Sequence, residues 1–191
     1  LIGNKLTDDA AVAEAYGLSV AVIPGSSDNV KITHPEDLDR AAEKLTIVSP
    51  DIRVGNGYDL HRFSTGTGVT ICGVKIPHAF SLEGHSDADV GLHALTDAIL
   101  GAAGKGDIGV YFPSSDNKWR DAPSKIFLQQ AGEVVTAMNG TIQNLDVTII
   151  CEAPQISTYR DQMETQICEI LSLNPSRVNV KGKTADKLGS I

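Results

Sequence analysis

The 191-residue chain carries 16 lysines and arginines against 24 aspartates and glutamates, a formal net charge of −8, with no basic run. That balance repels a polyanion and argues against nucleic-acid binding, and no stretch approaches the roughly 20 apolar residues of a membrane span. Cys72, Cys151 and Cys168 are odd in number and far apart in apolar segments; they read as buried, reduced thiols of a cytoplasmic protein, not as a disulfide frame or zinc ribbon.

In chain order, residues 9–16 predict a helix with an acidic start, stopped by Gly17. Val20–Ile23 and Val30–Ile32 predict two short strands around the turn Pro24-Gly25-Ser26-Ser27. Thr33-His34-Pro35-Glu36 has the form of a capping box with proline in the first turn, and Leu38, Ala41, Ala42 and Leu45 share one face of the helix it opens. Elements this few cannot bury a core of their own, so residues 1–45 are expected to be the tail of a larger α/β domain, joined by a linker at 46–51. Leu1 implies that the natural N-terminus lies further upstream.

Residues 52–191 predict strand, strand, helix, loop, helix, strand, helix, strand. Arg53 to His61 alternates with the period of a strand, and Gly66-Thr67-Gly68 turns into a second strand, Val69 to Ile76, ended by Pro77. Val90 to Ala103 has helical apolar spacing, with Gly104 past its end; helices are also expected near 124–138, stopped by Asn139-Gly140, and near 157–173. Strands follow at Leu145–Cys151 and Val178–Lys181. The pattern is α+β, a mixed sheet covered by helices on one face.

Chemistry concentrates in Gly57-Tyr58-Asp59-Leu60-His61 and His85-Ser86-Asp87-Ala88-Asp89-Val90-Gly91-Leu92-His93. Residues two apart on a strand share a face, so Asp59 and His61 project together. His93 falls in the second turn of its helix, with Asp89 and Asp97 four residues to either side on the same face, either of them placed to orient the ring. One carboxylate and two or three imidazoles suit a divalent metal with a position left for substrate. His34 and His78 have no such company and read as structural or solvated.

From Arg53 onward the chain resembles the 2-C-methyl-D-erythritol 2,4-cyclodiphosphate synthase family. The likeness runs through the two motifs above and through Gly106-Asp107-Ile108-Gly109, Phe112-Pro113, Asp146-Val147-Thr148-Ile149-Ile150 and Lys187-Leu188-Gly189. The first 45 residues, through Leu6-Thr7-Asp8-Asp9-Ala10, Asn29-Val30-Lys31-Ile32-Thr33 and Pro35-Glu36-Asp37-Leu38, are similar to the C-terminal end of 2-C-methyl-D-erythritol 4-phosphate cytidylyltransferase. The order matches a bifunctional arrangement of both enzymes on one polypeptide.

These resemblances imply a homotrimer with sites at subunit boundaries and an intramolecular phosphoryl transfer that closes a cyclic diphosphate and releases CMP from a cytidine diphosphate-linked substrate. Asp59, His61 and His93 match the family's metal triad, with zinc expected. His85 and Thr184 match transition-state stabilisers, and Asp186 a ligand for a second ion, magnesium or manganese. Ser86, Asp107, Ile108, Gly109, Phe112, Pro113, Asp116, Ala153, Pro154, Ile156 and Lys183 match substrate contacts. Ser114 stands where an acidic residue is common, and Lys183 where a threonine is. Lys31 matches a lysine of the cytidylyltransferase site, whose glycine-rich nucleotide loop is not among these residues. The family continues past Gly189 with a last strand and helix, so the intact protein is expected to continue as well. Two alternatives use the same residues: a metal-dependent phosphodiesterase with a water nucleophile, and a non-catalytic trimeric binding module.

Overall fold

The computed structural model describes residues 8–26, 29–45, 51–84, 86–120 and 122–188, with side chains throughout except at 42–45. The chain divides into two compact units, Leu1–Asp51 and Ile52–Ile191.

In the first unit the described residues form two helices. Helix α1 (Asp9–Ala15) is capped by Asp8, whose carboxylate accepts the Ala11 N–H at 2.8 Å, and ends at Gly17 with φ +76°. Helix α2 spans Pro35–Leu45. Its start is held by Asp37, not by the Glu36 of the expected capping box: Asp37 Oδ2 accepts the N–H groups of Thr33 (3.0 Å) and His34 (2.9 Å). The expected strands at Val20–Ile23 and Val30–Ile32 do not form. Val22 and Ile23 are 96% and 80% exposed, so their β-branched side chains have no surface in this unit to pack on.

The second unit holds the core, and among its described residues three two-stranded sheets stand in place of the expected single mixed sheet. Strands β1 (Phe63–Thr65) and β4 (Phe80–Leu82) pair antiparallel, as do β2 (Gly68–Ile71) and β3 (Val74–Pro77). Thus Val69 to Ile76 is a hairpin, not one strand. Cys72 and Gly73 both take positive φ (49° and 78°), as a two-residue hairpin turn demands. Helix α3 (Val90–Ala103) follows, ended by Gly104 at φ +66°, then the short α4 (Ile108–Tyr111) and α5 (Lys125–Ala137). Strands β5 (Leu145–Ile150) and β6 (Val178–Lys183) run parallel, connected through α6 (Arg160–Leu171). Val147 and Ile149 of β5 and Val180 of β6 point inward against Leu92, Leu95, Ile99, Leu128, Met163 and Ile167. Helix α3 lies against β5 and α5, and α6 against β6. Cys72 and Cys168 are buried, Cys151 is half-buried, and all three thiols are unpaired. No helix among the described residues is long and apolar enough to cross a membrane.

A single buried carboxylate joins the hairpin to α3. Asp89, fully buried, caps the helix through the Leu92 N–H (3.0 Å) and accepts the turn N–H groups of Cys72 (2.7 Å) and Gly73 (2.6 Å). Burial pushes the Asp89 carboxyl pKa above the usual carboxylate range, and the three N–H groups oppose that shift. Asp89→Asn would turn an amide N–H2 toward one of these donors. It is expected to cost at least about 2 kcal/mol, the desolvation of an unmade buried hydrogen bond, measured as a lowered urea midpoint.

Candidate active site with a metal-binding triad

The expected strand at 53–61 does not form either. These residues join no sheet, and they lie along α3. The two-residue alternation nevertheless holds: Gly55, Gly57, Asp59 and His61 are half-buried, while Val54, Asn56, Tyr58 and Leu60 are exposed. A methyl group on Gly55 would overlap the Ala98 carbonyl oxygen and stand 2.9 Å from the Ala102 nitrogen; one on Gly57 would overlap the Ala94 carbonyl oxygen and stand 2.7 Å from the Ala98 nitrogen. Two extended residues advance about 6.6 Å and four helical residues about 6 Å. Glycines two apart therefore keep step with alanines four apart, the strip running against the helix direction. Continued by one more step, that register brings Asp59 to the turn between Val90 and Ala94, which carries His93.

The three donors meet there. Asp59 Oδ2 lies 3.0 Å from His61 Nε2 and 3.0 Å from His93 Nδ1, and the two ring nitrogens are 3.3 Å apart. Ligands held at about 2.0–2.1 Å by a tetrahedral ion stand about 3.3 Å apart, so the triangle has the size a zinc-like ion needs. Two imidazoles and a carboxylate are also a donor set such ions take. Among the described residues these three form the group able to hold a metal; Asp186 does not join it.

Each ring is oriented from behind. His61 Nδ1 donates to the Glu83 carbonyl at 2.6 Å, which turns the Nε2 lone pair to the triangle. His93 Nε2 lies 2.7 Å from Ser124 Oγ and 3.0 Å from Ser86 Oγ. Neither Asp89 nor Asp97 orients His93, contrary to the sequence expectation. Asp89 is consumed by the hairpin turn, and Asp97 accepts the Ile108 N–H at 2.8 Å. The carboxylate behind His93 is Asp87, reached through Ser124, whose hydroxyl donates to Asp87 Oδ1 and whose N–H donates to Oδ2 at 3.1 Å. Ser124 lies 31 residues from His93 and only folding shows its role; Asp87 was visible within its motif.

Burial pushes the Asp59 carboxyl up, but hydrogen bonds from His61 and His93 outweigh it and hold it well below the usual range. His61 is raised above its ordinary value by Asp59 first, with burial opposing and the Glu83 carbonyl adding. In the metal-free protein the His61 contribution to stability is therefore present at low pH and lost as pH rises through the raised value. The Asp59 contribution is present above the unfolded carboxylate range, about pH 4, and lost on acidification. A cation must displace the His61 proton. Metal affinity is thus expected to fall about tenfold per pH unit once pH drops below the raised His61 value, measured by chelator competition across a pH series.

Other predicted site residues gather in two places. Asp107 caps α4 through the Val110 N–H (3.1 Å), with Ile108 and Gly109 in that helix, and Phe112 follows it. The Phe112 ring packs on Phe127 (centroids 4.4 Å apart), which packs on His93 (5.9 Å), so this segment adjoins the triad. Pro113 opens an exposed turn closed by Asp116, whose carboxylate caps the next turn and pairs with Lys118 at 3.3 Å. The second place is the end of β6. Lys183 O accepts the Cys151 N–H (3.0 Å), Thr184 Oγ1 donates to Asp186 Oδ1 (2.9 Å), and the Lys187 N–H donates to Glu152 (3.3 Å). This segment lies beside Ala153, Pro154 and Ile156, with a cis Ala153–Pro154 bond, and Ile156 touches Gly182. His85 and Ser190-Ile191 lie outside the described residues, and Lys31 is exposed in the first unit.

Residues 52–191 match the YgbB family. The chain belongs to that family. Residues 2–46 match 2-C-methyl-D-erythritol 4-phosphate cytidylyltransferase. Over 191 residues this YgbB-family chain is 53% identical to "Bifunctional enzyme IspD/IspF" of Chelativorans sp. (strain BNC1), covering 98% of the chain and 47% of that relative. It spans about half the length of the curated relatives it matches. Among solved structures it resembles a CDP-bound 2C-methyl-D-erythritol-2,4-cyclodiphosphate synthase, with a TM-score of 0.67 and 34% identity over 71% of this chain and 91% of that one. It also resembles the bifunctional IspDF from Campylobacter jejuni, with a TM-score of 0.67 and 35% identity over 98% of this chain and 50% of that one.

Proposed function

We propose that residues 52–191 act as a 2-C-methyl-D-erythritol 2,4-cyclodiphosphate synthase, converting 4-diphosphocytidyl-2-C-methyl-D-erythritol 2-phosphate to the cyclic diphosphate with release of CMP. The observation that carries the reading is the Asp59–His61–His93 triangle, backed by the similarity to a synthase solved with CDP. Asp59, His61 and His93 would hold zinc, which when bound polarises a phosphoryl oxygen. Intramolecular phosphoryl transfer asks the protein for positioning and charge neutralisation more than for covalent participation. Ser86, with its hydroxyl beside the triad, and His85 would address the phosphates. Asp107, Ile108 and Gly109 would hold the methylerythritol unit, and Phe112, Pro113 and Asp116 would line its entry. Ala153, Pro154 and Ile156 would receive the cytosine. Lys183 and Thr184 would steady the diphosphate, with Asp186 on a magnesium or manganese ion.

In this reading the catalytic unit is a homotrimer with sites between subunits. It gains support from the wet outer face of the strip, where Val54, Tyr58 and Leu60 are 90%, 66% and 67% exposed in a single chain. Residues 1–45 would be the end of a cytidylyltransferase domain, with Lys31 from its site and 46–51 as linker, and the whole protein would be bifunctional and cytoplasmic.

Incubation with the cytidine diphosphate-linked substrate tests this. Cyclic diphosphate plus CMP is expected. Linear hydrolysis products alone would make the protein a phosphodiesterase, and no turnover would leave a binding module.

A further inference from the structure

Ser124 occupies the N-cap position of α5, where a serine hydroxyl ordinarily accepts a helix N–H; here it makes no such bond. The residue is fully buried, and its hydroxyl is committed elsewhere. Asp87 can only accept hydrogen bonds when ionised, so the Ser124 proton goes to Asp87 Oδ1. Ser124 Oγ is then left to accept, and the donor facing it at 2.7 Å is His93 Nε2–H. The polarity of the whole chain follows from the carboxylate at its end. When a cation occupies the triangle, the ring proton stays on Nε2 and the Nδ1 lone pair is offered to that cation beside Asp59 Oδ2 and His61 Nε2. Asp87 is held in turn, its two oxygens taking both the hydroxyl and the backbone N–H of Ser124.

We propose that Ser124 and Asp87 are positioning residues of the metal centre, a relay from carboxylate to hydroxyl to imidazole that fixes the tautomer and angle of His93 and thereby sets the metal affinity. The proposal rests on the metal reading of the triad. Partners of this kind behind a ligating histidine are worth about 10- to 100-fold in metal affinity. Ser86, 3.0 Å from the same nitrogen, is not required for the relay, because its own proton is not needed to fix the polarity and stays available to a phosphate oxygen.

The test measures zinc affinity by competition with a chromogenic chelator, on wild type, His61→Ala, Ser124→Ala, Asp87→Ala and the Ser124→Ala/Asp87→Ala double variant. Wild type is expected to bind one zinc per chain and His61→Ala to lose it. Ser124→Ala should bind about 10- to 100-fold more weakly. The double variant should be no weaker than the weaker single variant, because both residues act through one chain of bonds. In the zinc-loaded protein, the His93 Nε2–H should give a slowly exchanging proton–nitrogen resonance that Ser124→Ala removes and Ser124→Thr restores.

Wild-type zinc affinity in Ser124→Ala with the resonance intact would overturn the relay alone. So would fully additive losses in the double variant. Zinc missing from wild type would instead sink the metal reading, and the relay with it. Should Ser124→Ala fail to fold, Asp87→Ala decides the matter, since Asp87 is exposed: unchanged zinc affinity there overturns the relay.

Discussion

Asp59→Ala is expected to abolish stoichiometric zinc and to lower cyclic diphosphate formation by about a thousandfold or more, while leaving the fold intact. The carboxylate is the one anion that both rings address, at 3.0 Å each. Without it two neutral donors remain, too few to retain the ion. A bound cation contributes several kcal/mol of charge stabilisation to phosphoryl chemistry, and about 4 kcal/mol corresponds to three orders of magnitude in rate. Stability should barely move, because partly exposed charge pairs contribute only about 0–1 kcal/mol, and Asp59 retains 27% side-chain exposure. Zinc content after dialysis, CMP release and a thermal melt report the three quantities separately. A variant that turns over at the wild-type rate without metal would remove the triad from the chemistry.

Gly57→Ala is expected to reach the same loss of zinc by a different route, through the backbone. The added methyl meets the carbonyl oxygen of Ala94 and the nitrogen of Ala98, helix atoms that no rotamer change can move aside. Overpacking of a well-filled contact costs about 1–3 kcal/mol, and a backbone obstacle places this case at the upper end. For a chain of this size that is a fall of about 6–12 °C in melting temperature. The strip must lift from the helix, taking with it Asp59 and His61, two and four residues on. Asn56→Ala, on the exposed side of the same strip, should change neither melting temperature nor zinc binding.

Those two glycines also show where sequence reasoning succeeded and where it stopped. The alternation from Arg53 to His61 correctly assigned Asp59 and His61 to one face, because an extended backbone has a two-residue period whether or not it is paired. Pairing is decided by what lies alongside, and here that is a helix with Ala94, Ala98 and Ala102 at its surface. The small residues at matching intervals in both segments were the available signal.

The hairpin was missed, read as one strand from Val69 to Ile76, although the sequence held its signal. Buried Val69 and Ile71 are odd-numbered, whereas buried Val74 and Ile76 are even-numbered. A single strand cannot change phase without a break, so Cys72-Gly73 had to turn. Helices α3 and α5 were readable almost residue for residue, because their apolar spacing and their terminal glycine or asparagine agree. The link from Ser124 to His93 had no local trace, since no periodicity joins residues 31 apart. The strands expected at Val20–Ile23 and Val30–Ile32 failed for the opposite reason: local propensity was present, but no surface was there to receive it.

Asp89 carries a further implication for how the triad holds its shape. It stands one helical turn before His93 and never touches that ring, yet it bolts the first turn of α3 to the tip of the β2–β3 hairpin. The imidazole therefore inherits its location from a scaffold anchored outside the chemistry, and a cation arriving at the triangle finds its seat already assembled. Little ordering is left for the ion to impose, so its capture should be fast and its departure slow.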